Sequence, residues 1–136
     1  MRSLAWTSDL TTGVGQFDDD HRHLLGIYNE LFAACFAGLA STVIADILER
    51  LLSYTNDHFR REEEAMRQTR FPGLAEHEAA HDGLVMRLSE LRQSLQRGSI
   101  DNLDVEALAF LEHWIVTHTL EMDRAYGEHL NSHGFH

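Results

Sequence analysis

The amino-acid sequence predicts an all-α protein, an up-down-up-down antiparallel four-helix bundle with an irregular N-terminal arm. Apolar residues recur at spacings of three and four along four segments, which is the helical period. The single proline, Pro72, and several glycines separate these segments, and no stretch alternates as a strand does. Because the connections are short, helices that are neighbours in sequence are expected to pack antiparallel.

The bounds of the helices follow from their start and stop signals. The expected ranges are about Asp19 to Gly38, about Ser41 to before Phe71, about Leu74 to Gly98, and about Asp104 to Gly127. The first twenty residues are expected to form the arm, with Trp6 and Phe17 closing one end of the bundle. Residues 1–136 are interpreted as a single domain, because this length suffices to bury one apolar core.

The composition excludes several classes of partner. The formal net charge is -11, with eleven arginines and no lysine, so the chain repels phosphate backbones and anionic membranes. No apolar run approaches the ~20 residues that span a bilayer, and the N-terminus lacks the apolar stretch of a signal peptide, which predicts a cytoplasmic protein. Cys35 lies among apolar residues and is interpreted as part of the core.

The ten histidines are the unusual feature of the composition. His77 and His81 stand four apart and share one helix face, as do His58 and Glu62. His118 and Asp123 stand five apart, roughly 140° around an α-helix axis, and therefore share no face. In a chain so rich in histidine such pairs also arise by chance, and His129 with His133 is interpreted as an exposed, fraying end.

The combination of these residues is more informative than any pair. In an antiparallel bundle seven side chains fall at one end and face a common interior; they are His21, His58, Glu62, His77, His81, His118 and Asp123. Burying so many polar groups without partners is costly, so metal is expected. Five imidazoles and two carboxylates are too many for one tetrahedral zinc and too rich in nitrogen for calcium or magnesium, whereas two iron ions match the set.

Ferritin-like di-iron enzymes are the nearest alternative class with such a bundle. They need two Glu-x-x-His motifs together with further glutamates. Only Glu78 and His81 match that motif in this sequence, which argues against the class.

Four motifs together resemble the hemerythrin family, and specifically the bacterial hemerythrins. The arm with Trp6, Gly13-Val14-Gly15 and Phe17-Asp18-Asp19-Asp20-His21, followed by Asn29, resembles the family's N-terminal region and first ligand. The other three motifs are His58-Phe59-Arg60-Arg61-Glu62-Glu63, His77-Glu78-Ala79-Ala80-His81, and the stretch from Trp114 through His118 to Asp123. The resemblance covers nearly the whole chain.

The resemblance implies a non-haem site of two iron ions. In it His77, His81 and His118 bind one iron, and His21 and His58 bind the other. Glu62 and Asp123 bridge the pair together with an oxo or hydroxo group. The iron with two imidazoles keeps an open position for molecular oxygen.

Four further residues are expected at the oxygen pocket. Phe59, Trp114 and Ile115 are expected to wall it and to exclude water. Thr119 follows the fourth-helix histidine, where the family usually has an apolar residue, and its hydroxyl is expected to admit water or to bond the oxygen. Asp20 stands where the family commonly has glutamine, which leaves the orientation of His21 open.

The function predicted from the resemblance is reversible oxygen binding for storage, delivery or sensing, by a binding protein and not an enzyme. The alternative is a di-iron enzyme that acts on peroxide, nitric oxide or ferrous iron, which Thr119 makes plausible. The expected partner is molecular oxygen, and any protein partner is unknown from the sequence.

Overall fold

The chain is a bundle of four helices, seen in a computed structural model that describes residues 4–136 except for the Leu120 side chain. The helices are α1 (Gly15–Phe36), α2 (Ser41–Gln68), α3 (Leu74–Gln96), α4 (Val105–Thr117) and α5 (Arg124–Ser132). A π-helical segment, His118–Asp123, joins α4 to α5, so these three elements form one continuous fourth helix. No strand occurs within residues 4–136, which confirms the predicted fold class.

The N-terminal arm is shorter than predicted. Helix α1 begins at Gly15 rather than near Asp19, because the Val14 carbonyl already accepts hydrogen bonds from the amides of Phe17 and Asp18. The Asp18 carboxylate also accepts from the amide and the hydroxyl of Thr12, at 2.7 and 2.8 Å. These bonds tie the arm to the first turn of α1. Residues 1–3 of the predicted arm lie outside the described residues.

The fourth helix does not end at Gly127, as the sequence predicts, but continues to Ser132. The glycine serves close packing there, since a Cβ atom on Gly127 would overlap the carbonyl oxygen of Thr12 in the arm. The interpretation of His129 as part of a fraying end is also wrong. Its Nε2 lies 2.9 Å from the Thr69 carbonyl, and the residue is half-buried, whereas His133 is exposed.

The core has two apolar parts. A large cluster fills most of the bundle and includes Leu31, Leu48, Leu88 and Leu111. A smaller cluster closes one end and includes Phe17 and Met66. On α2, the larger cluster ends at Phe59 and the smaller one begins at Ala65, with the buried Glu62 between them. The two clusters therefore enclose a buried polar layer.

Two single residues complete the picture. Cys35 is buried in the large cluster, as predicted. Trp6 is half-buried, and the Arg22 guanidinium lies 4.6 Å from the centre of its ring. None of the helices within residues 4–136 is both long enough and apolar enough to cross a membrane.

The close approach at Gly127 yields the first prediction. Gly127→Ala is expected to lower the free energy of unfolding by about 1 to 3 kcal/mol, because the methyl group displaces the arm. Gly26→Ala is the matched control, since its Cβ would meet open space in the middle of α1, and it is expected to raise stability by up to about 1 kcal/mol. Urea denaturation measures both; equal effects of the two substitutions would contradict the packing role of Gly127.

Candidate metal centre

The seven residues predicted as ligands come together in the buried polar layer. They arise from α1 (His21), α2 (His58, Glu62), α3 (His77, His81) and the two ends of the π-helical segment (His118, Asp123). Each exposes 7% of its surface or less. They form two groups, each of which could hold one metal ion: His77, His81, His118 and Asp123 in one, and His21, His58 and Glu62 in the other.

Asp123 contacts imidazoles of both groups. Its Oδ1 lies 2.8 Å from His77 Nε2 and 2.9 Å from His118 Nε2. Its Oδ2 lies 3.1 Å from His21 Nε2, which belongs to the other group. One carboxylate therefore faces two neighbouring positions for a metal.

Glu62 has the same double role. Its Oε1 lies 3.1 Å from His58 Nε2 and 3.4 Å from His81 Nε2, so this oxygen also reaches both groups. Its Oε2 lies 3.4 Å from His21 Nε2. The two carboxylates thus connect the group with His77, His81 and His118 (the three-imidazole group) to the group with His21 and His58 (the two-imidazole group), as bridging ligands would.

The π-helical segment corrects one sequence-based expectation. The spacing of five between His118 and Asp123 predicts different faces in an α-helix. In a π-helix the hydrogen bonds join residues five apart, so His118 and Asp123 lie nearly one above the other and both face the interior. The widened turn therefore supplies two side chains to the same group from one helix.

The donor atoms fit a metal ion better than they fit each other. In the described part of the chain, His58 Nε2 and Glu62 Oε1 are buried and have no hydrogen-bond partner, although they lie 3.1 Å apart. Buried polar atoms are rarely left without a hydrogen-bond partner. His81 Nε2 and His118 Nε2 converge to 3.1 Å, close to the separation of about 3 Å expected for adjacent nitrogens on one ion with bonds of about 2.1 Å. Imidazole and carboxylate together suit iron.

The electrostatics of the metal-free layer are strongly coupled. Burial alone would lower the pKa of His21, but the hydrogen bonds to Asp123 and Glu62 and their negative charges raise it to about 10. Burial and the neighbouring imidazoles His77 and His118 lower the pKa of His81 to about 3. Burial favours the neutral form of Asp123, yet the contacts with His118 and His21 hold its pKa well below the usual range.

Two carboxylates outside the seven residues contact the Nδ1 atoms of two of the imidazoles. Asp20 Oδ2 lies 2.8 Å from His58 Nδ1, and Glu63 Oε2 lies 2.8 Å from His81 Nδ1. Burial opposes ionisation of Asp20, but the hydrogen bonds from His58, Tyr54 and Arg61 outweigh it and lower the pKa to about 2. Asp20 therefore contacts His58 directly and makes no direct contact with its sequence neighbour His21, which the sequence did not reveal.

Tyr126 is a further residue that the sequence analysis missed. It is completely buried, and its hydroxyl donates a hydrogen bond to Glu62 Oε2. Its ring also lies perpendicular to that of His77, with 5.1 Å between ring centres. Its position three residues after Asp123, on the same face of a helix, is the signal that points to it.

An apolar cavity of about 40 Å³ adjoins the layer. All four residues predicted for the oxygen pocket line it, namely Phe59, Trp114, Ile115 and Thr119. Further residues that the sequence analysis did not predict for the pocket also line it; they include Leu24, Leu51, Thr55, Leu84, Leu88 and Leu111. The cavity is large enough for a small molecule, since about 10 to 15 Å³ of such volume suffices to hold a water.

Two of the cavity residues also orient imidazoles. Phe59 stacks on His81 with 3.6 Å between ring centres and 3° between ring planes. Trp114 stacks on His118 at 4.2 Å and 12°. These contacts restrict rotation of both rings, so the apolar wall and the donor set form one packed unit.

Comparison with known proteins identifies the family. The sequence model of the hemerythrin HHE cation binding domain matches residues 12–130, which is most of the chain. The chain belongs to the hemerythrin family. This confirms the resemblance predicted from the four motifs, and the matched range contains both carboxylates and all five imidazoles of the buried layer.

Individual members of the hemerythrin family resemble the chain over nearly its whole length. A bacteriohemerythrin of Stenotrophomonas maltophilia is 28% identical over 98% of this chain and 85% of its own. A bacteriohemerythrin of Methylococcus capsulatus is 29% identical over 97% of this chain and 100% of its own. The crystal structure of a wild-type hemerythrin superposes with a TM-score of 0.86 at 29% identity, covering 93% of this chain and 97% of that one.

The raised pKa of His21 predicts how pH affects the metal-free form of this hemerythrin domain. The proton that His21 binds in the folded state stabilises the fold below pH 6.5, and this contribution is lost as pH rises toward 10. The free energy of unfolding is therefore expected to fall between pH 7 and 9, by at most about 1.4 kcal/mol per pH unit from this group. Urea denaturation of metal-free protein at several pH values measures it.

His21→Gln provides the control for this pH dependence. Glutamine does not titrate, so the alkaline decrease is expected to be smaller in the variant than in the parent chain. An identical slope in both proteins would show that His21 is not the responsible group.

Proposed function

We propose that the chain binds two iron ions and uses them to bind molecular oxygen reversibly. His77, His81 and His118 would hold one iron, and His21 and His58 the other. Glu62 and Asp123 would bridge the two, together with an oxo or hydroxo group. The observation that carries the proposal is that both carboxylates contact imidazoles of both groups, next to an apolar cavity.

The place of oxygen follows from which imidazoles reach the cavity. Both imidazoles of the two-imidazole group, His21 and His58, line the cavity. Of the three imidazoles in the other group only His118 does so, together with Asp123. The two-imidazole group also offers fewer donors, so an ion held there would keep room for another ligand. When bound, the iron pair would supply the position for oxygen and the electrons for its reversible reduction.

The residues around the cavity favour release of oxygen over its consumption. Leucines on four helices and the rings of Phe59 and Trp114 present hydrocarbon to the cavity, so water finds few hydrogen-bond partners there. Excluding water also excludes the protons that would convert bound oxygen to hydrogen peroxide and release it from the site. Neutral imidazoles further limit the negative charge that would drive oxygen activation.

The family is one of oxygen-binding proteins and not of enzymes, and the proposal follows it. The cavity, of about 40 Å³, is of a size that suits a small molecule such as oxygen. Storage, delivery and sensing are the roles that reversible binding serves. Each requires the same property of the site, which is an oxygen complex that forms and dissociates without net oxidation of the iron.

The test is absorption spectroscopy of reduced, iron-loaded protein. Two irons per chain are expected, with charge-transfer bands that appear in air and disappear when oxygen is removed under argon. His77→Ala is expected to lose iron and the bands, because it removes a donor. His113→Ala, at an exposed histidine outside both groups, is the matched control and is expected to keep both. Bands that never appear, or that persist under argon, would contradict reversible binding.

Thr119 provides a second prediction about the same complex. Thr119→Val keeps the shape of the side chain but removes a hydroxyl from the cavity wall. Without that hydroxyl, water and protons reach bound oxygen less readily, so the oxygenated form is expected to persist several-fold longer. The rate at which its absorption bands decay to the oxidised form measures this, and an unchanged or faster decay would rule out such a role for Thr119.

A further inference from the structure

Asp20 is held by three residues on one stripe of α2. Tyr54, His58 and Arg61 are spaced four and three apart, so they project from the same side of that helix. The Tyr54 hydroxyl donates to Asp20 Oδ1 at 2.8 Å. His58 Nδ1 and Arg61 Nη2 lie 2.8 and 2.9 Å from Asp20 Oδ2. The Asp20 side chain of α1 thus binds three residues of α2 that lie about one helical turn apart.

The contact with Asp20 determines which nitrogen of His58 faces the metal layer. A carboxylate paired with a guanidinium offers only acceptor atoms, so His58 Nδ1 must carry the hydrogen and donate it. In the neutral ring, which is the form that binds a metal, the lone pair then lies on Nε2, the atom that faces Glu62 and is left without a hydrogen-bond partner in the described residues. Asp20 therefore both fixes the tautomer and holds the ring in the ligating orientation.

The other imidazole of the same group lacks such support. His21 Nδ1 is buried and has no hydrogen-bond partner among the described side chains and backbone. His21 is, however, the next residue after Asp20 on α1. Whatever fixes Asp20 against α2 also fixes the height at which His21 enters the layer. Asp20 consequently influences both imidazoles of the two-imidazole group, one by direct contact and one through the helix.

We infer that Asp20 is the positioning residue of the two-imidazole iron position, the one at which oxygen is proposed to bind. Its hydrogen bond to His58 and its anchoring of α1 on α2 keep both imidazoles ready for the ion. Glu63 performs the corresponding task at His81, on the other iron. The inference rests on the proposed function. It adds that Asp20 and Glu63 each support a different iron position, Asp20 through His58 and Glu63 through His81.

The test is anaerobic titration of metal-free protein with ferrous iron against a competing chelator. Asp20→Asn keeps the size of the side chain but removes its charge, and it is expected to weaken one of the two binding events by about 10 to 100-fold. The other event is expected to change by less than about two-fold, because the imidazole that Asp20 contacts, His58, belongs to the two-imidazole group.

Asp19→Asn is the matched control. Asp19 lies on the same turn of α1 and carries the same charge, but it pairs only with the exposed Arg22 among the described residues, so both affinities are expected to stay unchanged. Glu63→Gln is expected to weaken the binding event that Asp20→Asn spares. The double variant, Asp20→Asn with Glu63→Gln, is expected to weaken both events.

The outcomes separate the inference from the proposed function. Equal weakening of both events in Asp20→Asn, or none, would overturn the inference while two irons still bind to the parent chain. A parent chain that binds fewer than two irons would overturn the proposed function and the inference with it. If Asp20→Asn does not fold, Tyr54→Phe removes one hydrogen bond to Asp20 at a half-buried position and is expected to weaken the same single event a few-fold.

Discussion

The burial of two carboxylates among five imidazoles is the constraint on which this structure depends. Glu62 and Asp123 are each within hydrogen-bonding or ligating distance of imidazoles from both groups, and solvent reaches almost none of these atoms. In the absence of metal, these groups share protons and their pKa values are displaced in opposite directions. A buried polar layer of this kind costs stability unless every donor finds an acceptor or an ion.

Much of the fold and most of the donor set could be predicted because both follow from helical periodicity. Histidines and a glutamate four apart must share a face, and short connections must place alternate helix ends at the same level. These rules alone place His58, Glu62, His77 and His81 in one layer. His21 and His118 joined them through the level at which they lie on their helices.

The remainder depends on contacts between elements, which single-sequence rules do not describe. Nothing local in the sequence distinguishes a glycine that ends a helix from one that lets another segment pack closely against it. The role of Gly127 follows from its contact with the backbone of Thr12. The same holds for Asp20, whose partners lie on another helix 34 to 41 residues away. Tyr126 was overlooked because its hydroxyl acts across the bundle, on a carboxylate of α2.

The π-helical segment has a consequence for everything that follows it in the chain. One residue more than a regular turn contains is accommodated between His118 and Asp123, which rotates the rest of the helix by roughly 100° relative to an uninterrupted one. That rotation directs the phenol of Tyr126 inward and brings Gly127 against the arm. A one-residue deletion within the segment would therefore rotate α5 away from these contacts, so the length of this stretch matters as much as its chemistry.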